Sequence, residues 1–101
     1  MDSQTVTDRV HCVVELFGVA RLLTKTKTVP LELPEGTTLS CLVSVLAERW
    51  PILVGRVIGR DKTSLVSGCA CNVNGREFVR DPGTQIRTGD NVLILPADAG
   101  G

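Results

Sequence analysis

One stretch of the sequence decides the fold, and it reads Leu33-Pro34-Glu35-Gly36-Thr37-Thr38-Leu39. Val29 and Leu31 precede Leu33 with one residue between each, and this alternation is typical of a strand. The Pro-Glu-Gly segment then predicts a turn, and either threonine can accept hydrogen bonds from the free amides at the start of a helix. The stretch therefore predicts a strand, a turn and a helix in that order.

The predicted helix follows directly and has one apolar stripe. The apolar residues that recur at the spacing of one helical face are Leu39, Leu42, Val43 and Leu46. Pro51 cannot continue the hydrogen-bond ladder, so we expect the helix to end near Trp50. Residues 52–58 are compatible with a further short helical turn, and residues 59–67 form a polar loop whose structure the sequence does not reveal.

Before the stretch, residues 10–17 predict the first strand, because apolar residues alternate there with a period of two. The residues expected to face the core are Val10, Cys12, Val14 and Leu16. Val13 and Phe17 then point the other way. A connection over residues 18–27 leads to the second strand, which predicts a hairpin. Pro30 lacks an amide hydrogen, so the second strand is expected at a sheet edge.

Three further strands are predicted in the second half of the chain, at residues 69–74, 76–79 and 91–95. Asn74 and Gly75 predict a hairpin turn, because a type I′ turn needs a positive φ at both central positions. Thr84, Gly89 and Asp90 are expected to fix the loop before the last strand.

The last strand is also expected to be buried on one face only. Val92 and Ile94 face the core in this interpretation, so apolar residues are left on the opposite, open face of the sheet. The candidates for partner docking are Val13, Phe17, Leu93 and Leu95. The alternative is that loops half-cover these residues, or that the strand register differs by one, which would exchange the two faces.

Together these elements predict an α+β fold with a mixed sheet of four to five strands. One main helix packs on one face of the sheet, in the order β-β-α-β-β-β. A chain of 101 residues suits one domain, residues 1–101. Within it, residues 1–8 are expected to be a flexible N-terminus and residues 96–101 a flexible, functional tail.

Charge and hydropathy limit the classes of partner. Acidic and basic residues number 11 each, so the mean field that attracts nucleic acid or anionic lipid is absent. No apolar run approaches the length of a membrane span, and the polar start is unlike a secretory signal. The sequence therefore predicts a cytoplasmic protein whose partners are proteins or small molecules, with no nucleic-acid and no membrane partner.

The four cysteines are expected to be free thiols, since a reducing compartment disfavours disulfides. Cys69 and Cys71 are two residues apart on a strand, so they share a face, and this spacing favours core packing over metal ligation or redox cycling. Cys12 and Cys41 stand alone, and no metal site is predicted. His11 has no nucleophile placed beside it, which favours a surface or hydrogen-bonded histidine over a catalytic one.

Four segments of the sequence carry a family likeness, and they are Val14-Glu15-Leu16-Phe17-Gly18-Val19-Ala20-Arg21, Leu33-Pro34-Glu35-Gly36-Thr37-Thr38-Leu39, Val73-Asn74-Gly75-Arg76-Glu77 and Leu95-Pro96-Ala97-Asp98-Ala99-Gly100-Gly101. In these segments the chain resembles the MoaD/ThiS family of sulfur carriers, which have the ubiquitin-like β-grasp fold. The resemblance spans nearly the whole chain. In length and order the chain is more similar to MoaD, the small subunit of molybdopterin synthase.

This resemblance implies a carrier that reacts at its own C-terminal carboxylate, on Gly101, with Gly100 beside it. Glycines allow an extended backbone to enter a narrow active-site channel. In the family, an ATP-dependent enzyme of the ubiquitin-activating type (MoeB/ThiF-like) adenylates this carboxylate, and sulfur then replaces the adenylate to give a thiocarboxylate. The chain would bind no cofactor and would not be an enzyme by itself. Its expected partners are the adenylating enzyme and a sulfur acceptor such as the molybdopterin synthase large subunit.

Three alternatives stay open. The sulfur acceptor can belong to another pathway, such as cysteine biosynthesis, thiamine thiazole formation or a specialised metabolite, since one fold supports several functions. The chain can instead be a ubiquitin-like modifier that is joined through Gly101 to protein lysines. A redox or metal module using Cys69 and Cys71 is the most distant of the three.

Overall fold

The computed structural model describes residues 9–97, which form a five-stranded mixed sheet covered on one face by a helix. The strands are β1 (Arg9–Leu16), β2 (Thr28–Pro34), β3 (Cys69–Val73), β4 (Glu77–Val79) and β5 (Asn91–Pro96). Their order across the sheet is β2-β1-β5-β3-β4. The central strands β1 and β5 run parallel, and every other pair is antiparallel. The α+β class, the mixed sheet and the β1–β2 hairpin are confirmed.

The main helix, α2 (Leu39–Arg49), begins and ends close to the predicted residues. The Oγ1 atom of Thr38 accepts a hydrogen bond from the amide of Cys41 at 3.4 Å, which satisfies one of the free amides of the first turn. At the other end, Pro51 opens a 3₁₀ helix (Pro51–Leu53) directly after Trp50. The turn proposed within residues 52–58 is therefore shorter than predicted and begins one residue earlier.

The core lies between α2 and one face of the sheet. All four residues of the predicted helical stripe are buried, and so are the four predicted inward residues of β1. Val92 and Ile94 of β5 are buried beside them. Because side chains alternate along a strand, the odd-numbered residues of β1 and β5 lie on the open face. The predicted register of both strands is confirmed.

The two edges of the sheet differ in how they avoid further strand pairing. Strand β2 lies at one edge and contains Pro30, as the missing amide hydrogen predicts. Strand β4, at the other edge, is only three residues long. It is joined to β3 by the predicted type I′ turn, in which Asn74 and Gly75 have φ values of 62° and 69°.

The structure corrects the sequence interpretation in the connection between the first two strands. Residues 18–27 contain a short helix, α1 (Val19–Thr24), where only a connection was predicted. The side-chain hydroxyl of Thr24, the last residue of α1, donates a hydrogen bond to the carbonyl of Ala20 at 2.8 Å. A helix of six residues is below the length at which apolar periodicity can be recognised, so no pattern marked it.

The polar loop at residues 59–67 is ordered by its own side chains. One carboxylate oxygen of Asp61 accepts hydrogen bonds from the amides of Thr63 and Ser64. A bridge between Ile58 and Leu65 closes the loop. Among the described residues, no helix is long and apolar enough to cross a membrane.

Candidate functional site

The C-terminal end of β5 lies among three neighbouring segments. Since β1 runs parallel to β5 and β3 runs antiparallel to it, the end of β5 is beside the end of β1 and the start of β3. The turn between β1 and α1 and the residues before β3 therefore meet at this point. We call Pro96 and Ala97, the last two described residues, the tail root.

Strand pairing and one hydrogen bond fix the tail root. Pro96 lies opposite Cys69 of β3, and the amide of Ala97 donates to the carbonyl of Gly68 at 2.9 Å. Two residues before Pro96, on the other side of β5, the carbonyl of Ile94 accepts a hydrogen bond from the amide of Phe17 at 3.0 Å. The predicted tail of residues 96–101 is thus held in the sheet at its first residue and hydrogen-bonded at its second. Gly100 and Gly101 lie outside the described residues, as does the predicted flexible segment 1–8.

A small apolar cleft opens beside the tail root. Its volume is about 120 Å³, and its lining includes Phe17, Val19, Leu95 and Pro96. Arg56 also lines it and provides a positive charge next to the end of β5. Sequence reasoning missed Arg56, because it lies in the segment between α2 and β3 for which no pattern predicts a spatial position.

The open face of the sheet carries a row of side chains that crosses four strands. Glu15 of β1 is in register with Leu93 of β5, which is in register with Asn72 of β3, which in turn pairs with Phe78 of β4. Phe78 is 65% exposed. It was not among the predicted docking residues, although alternation within its strand places it on the open face.

The four predicted docking residues do not form one continuous patch. Val13 is 38% exposed and lies on the β1 side of the open face. The side-chain amide of Asn91 donates to Glu15 at 3.1 Å, and this polar pair lies between Val13 and Leu93. Phe17 and Leu95 are half-buried and line the cleft at the tail root instead.

Asn72 occupies the middle of the row and is only 7% exposed. Its Oδ1 atom has no hydrogen-bond partner among the described residues. A buried acceptor without a partner costs about 1–3 kcal/mol.

The loop before β5 is held by one aspartate and one asparagine. Asp90 accepts hydrogen bonds from the amide of Arg87 at 2.9 Å and from the side-chain amide of Asn74 at 3.0 Å. The amide of Gly89 donates to the carbonyl of His11 at 2.9 Å. The carbonyl of Thr84 accepts a hydrogen bond from the amide of Leu39, at the start of α2. These bonds hold the loop before β5 in place, as predicted.

The cysteines are free thiols in two kinds of environment. Burial raises the pKa of Cys71 to about 11 and also raises the pKa of Cys69, so both are protonated at neutral pH. Cys71 packs in the core and Cys69 packs against it. Within residues 9–97 no group of three possible metal ligands occurs. His11 is exposed, and its Nε2 atom is 3.5 Å from a carboxylate oxygen of Glu32.

A comparison with protein families gives one match, to the family model described as the ThiS family, over residues 14–101. The chain belongs to the ThiS family. The match includes β1 from its middle onward, the tail root and the terminal diglycine segment. The resemblance to ThiS/MoaD-type sulfur carriers that the sequence suggested is therefore confirmed.

Solved structures share the fold of this ThiS-family chain. SAMP1 from Haloferax volcanii is 24% identical, with 90% of this chain and 99% of that chain covered and a TM-score of 0.75. A Pyrococcus furiosus protein described as "putative molybdopterin converting factor, subunit 1" is 26% identical, with 86% and 97% covered and a TM-score of 0.71. Urm1 from Trypanosoma brucei is 21% identical, with 95% and 100% covered and a TM-score of 0.65. No curated protein matches the chain.

These matches establish the architecture and the general class of this ThiS-family chain. The fold is the ubiquitin-like β-grasp fold, as predicted. Members of the family are small carriers or modifiers rather than enzymes. They work with adenylating enzymes and with sulfur acceptors.

Proposed function

We propose that this chain carries sulfur as a thiocarboxylate on Gly101. The observation that supports this most strongly is that the family match extends from β1 through the last strand to the terminal diglycine. Function has to be argued from a site and not from a fold alone. The reactive site in this proposal is the C-terminal carboxylate. The partner proteins recognise the chain by binding its folded domain.

The chemistry needs two displacement steps. A carboxylate oxygen of Gly101 attacks the α-phosphorus of ATP, pyrophosphate leaves, and a mixed anhydride with AMP forms. A sulfide nucleophile then attacks the acyl carbon, the bond from that carbon to the bridging oxygen breaks, and AMP leaves with the oxygen that came from the carboxylate. Activation is required because a free carboxylate is a poor electrophile. No group in the described residues supplies either step, so both are assigned to the adenylating enzyme and its sulfur donor.

The geometry of the domain suits a mechanism in which the partner enzymes supply the chemistry and this chain supplies the carboxylate. The tail root is fixed by strand pairing and by the bond from Ala97 to Gly68, so the chain leaves the sheet at a defined place. Binding energy from contacts far from the reacting atom can then position that atom. Exposed apolar side chains on the open face, including Phe78 and Val13, supply such contacts. We propose that the adenylating enzyme docks there.

The proposed acceptor is the large subunit of a molybdopterin synthase, which would make this chain the small subunit of that enzyme. The Pyrococcus furiosus match supports this choice, because its description names a molybdopterin converting factor. Acceptors for cysteine, thiamine thiazole or specialised metabolites remain the alternatives. The proposed location is the cytoplasm, where ATP and thiol sulfur donors are available, and the domain itself needs no bound cofactor.

Intact-mass spectrometry tests the proposal directly. The protein is incubated with ATP, a sulfur donor and cell extract that contains an adenylating enzyme, next to a variant that lacks Gly101. We expect a mass gain equal to the exchange of one oxygen for one sulfur in the full chain only. A shortened variant that lacks Gly100 and Gly101 is expected to melt at the same temperature as the full chain, because terminal residues contribute little to the core.

Two other results would change the conclusion. The same mass gain in the variant without Gly101 would show that the sulfur is attached at another site. A full chain whose mass never changes would contradict sulfur transfer. Slower-migrating adducts that contain this chain joined to lysines of other proteins would instead favour a modifier. SAMP1 of Haloferax volcanii, whose full name is small archaeal modifier protein 1, shares this fold.

A further inference from the structure

Gly18 occupies an unusual position between β1 and α1, directly against the tail root. Its backbone has φ 61° and ψ −133°, a combination that residues other than glycine rarely adopt. Its carbonyl accepts the first hydrogen bond of α1, from the amide of Leu22 at 3.0 Å. The residue therefore turns the chain sharply while it remains part of an ordered segment.

The close approach to Pro96 is a second and independent reason for a glycine here. A Cβ atom at residue 18 would lie 2.8 Å from Cγ of Pro96 and 3.3 Å from its Cδ. Both atoms belong to the pyrrolidine ring, which cannot rotate away as a flexible side chain can. Relief of this overlap therefore requires a change of ring pucker or a shift of Pro96 or residue 18, at the point where the chain leaves the sheet.

The opposite side of the tail root leaves little room for that movement. Pro96 is paired with Cys69, and the Ala97 amide is bonded to Gly68. Pro96 is thus held between the β1–α1 turn on one side and β3 on the other. A shift away from residue 18 has to weaken these contacts.

We propose that Gly18 is a positioning residue for the C-terminal tail, because its missing side chain lets Pro96 pack on the β1–α1 turn and thereby fixes the direction in which the chain leaves β5. The proposal rests on the proposed function for its consequence in activation. Five residues follow Pro96 in the sequence, and the last of them, Gly101, carries the carboxylate of the proposed function.

The direction of the chain at the tail root matters for the proposed adenylation. When the folded domain is docked, the tail must place its carboxylate within reach of the α-phosphorus of ATP. A misplacement of about 1 Å at a reacting centre can reduce the rate about 10²-fold. Because the docking contacts are retained, the effect is expected in kcat while KM stays nearly constant.

The test compares Gly18→Ala with a control at another glycine of positive φ. Gly36 also has a positive φ, of 85°, but no atom lies within 4 Å of the position of its added Cβ. Gly36→Ala therefore places a side chain at a positive φ without the overlap at the tail root. In Gly18→Ala we expect hydrogen exchange of the Ala97 amide to accelerate at least tenfold and kcat for adenylation to fall about tenfold, with KM within a factor of two. In Gly36→Ala we expect neither change.

Substitution of the proline separates the overlap from the strain. Pro96→Ala removes the ring atoms, so it is expected to accelerate exchange at Ala97 moderately without changing the melting temperature. In the double variant Gly18→Ala/Pro96→Ala we expect kcat to return to the value of Pro96→Ala alone, because the overlapping atoms are gone. This coupling is specific to two residues in contact.

Each arm has a result that overturns the proposal. An Ala97 amide with unchanged exchange in Gly18→Ala, equal effects of Gly18→Ala and Gly36→Ala, or a double variant no better than Gly18→Ala would each contradict it. If Gly18→Ala does not fold, Pro96→Ala decides the question, since unchanged exchange at Ala97 in that variant would show that the contact fixes nothing. A wild-type chain that is never adenylated would refute the proposed function, and the exchange measurements would still decide the role of Gly18.

Discussion

At the scale of single residues, the thiols of this chain differ mainly in what surrounds them. Cys41 is exposed in the first turn of α2, and its hydrogen bond with the side chain of Thr38 lowers the pKa of the thiol. Cys71 is 1% exposed, and burial raises its pKa to about 11. Since the thiolate is the reactive form, both accessibility and pKa favour the same cysteine.

Alkylation kinetics should therefore separate the four thiols. At pH 7.5 with iodoacetamide we expect Cys41 to react first, Cys69 more slowly, and Cys12 and Cys71 only when the protein unfolds. Peptide mapping by mass spectrometry after increasing times measures the order. Rapid modification of Cys71 in the folded protein would show that the sheet opens far more often than a packed core allows.

The raised pKa of Cys71 also predicts how stability depends on pH. Its folded pKa of about 11 is above the ordinary value of 9.0, so the folded state holds its proton more tightly than the unfolded state. The resulting stabilisation is fully present below pH 9 and is lost as the pH rises towards and through 11. We expect the melting temperature to fall between pH 9 and 11, by the equivalent of roughly 2 kcal/mol for a shift of this size.

The matched variant for this measurement is Cys71→Ala. It should melt at a lower temperature at pH 8, because it leaves a small cavity, but its melting temperature should depend less on pH between 9 and 11. If the melting temperature of Cys71→Ala falls between pH 9 and 11 as steeply as that of the wild type, the pH dependence belongs to other groups. Cys12 and Cys69, whose pKa values are also raised, are the first candidates.

At the scale of elements, two neighbouring threonines at the start of α2 have opposite roles. Thr38 caps the helix through its bond to the Cys41 amide. The Oγ1 atom of Thr37 is buried and has no hydrogen-bond partner among residues 9–97. We expect Thr38→Ala to lower the free energy of unfolding by about 1 kcal/mol. Thr37→Val, which keeps the shape and removes the unpaired hydroxyl, should leave it unchanged or raise it.

Urea unfolding monitored by circular dichroism measures both variants under the same conditions. The two substitutions are adjacent and similar in size, so each serves as the control for the other. A loss of 1 kcal/mol or more in Thr37→Val would mean that this hydroxyl makes a stabilising bond, for example to an ordered water.

The elements that the sequence predicted are those whose pattern is local. Alternation in β1 and β5, the helical stripe of α2 and the Asn74-Gly75 turn each depend on residues close together in the chain, and the structure contains all of them. The six-residue helix α1 has no such pattern, because Leu22 on it is 75% exposed and its apolar residues do not form one stripe.

The sequence suggested the chemistry that we propose for the candidate site, but it did not predict the residues that surround the tail root. Through the family resemblance, the glycines at the end of the matched segment suggested the carboxylate that we propose as the reacting group. By contrast, the contacts of Pro96 with Gly18 and of Ala97 with Gly68 join parts of the chain that are far apart in sequence. Only the parallel pairing of β1 with β5 brings these segments together, and no local pattern encodes it.

At the scale of the whole molecule, the domain presents two different surfaces around one tail root. The open face of the sheet carries Phe78 and Val13, whereas α1 on another part of the surface carries the exposed Leu22 and Val19. Either set of apolar residues can support a protein contact. We place the proposed docking site on the open face, because the row through Leu93 belongs to the strand that ends in the tail root.

Two exposed residues allow a matched test of this choice. Phe78 is 65% exposed and Leu22 is 75% exposed, so alanine at either position should change the melting temperature by only a few degrees. If the open face binds the adenylating enzyme, Phe78→Ala should raise KM for the carrier about tenfold with kcat unchanged, since large aromatic residues often dominate interface energetics. Leu22→Ala should leave both constants within a factor of two. The opposite result, with Leu22→Ala raising KM and Phe78→Ala without effect, would move the docking surface to α1 while leaving the carrier chemistry at Gly101 intact.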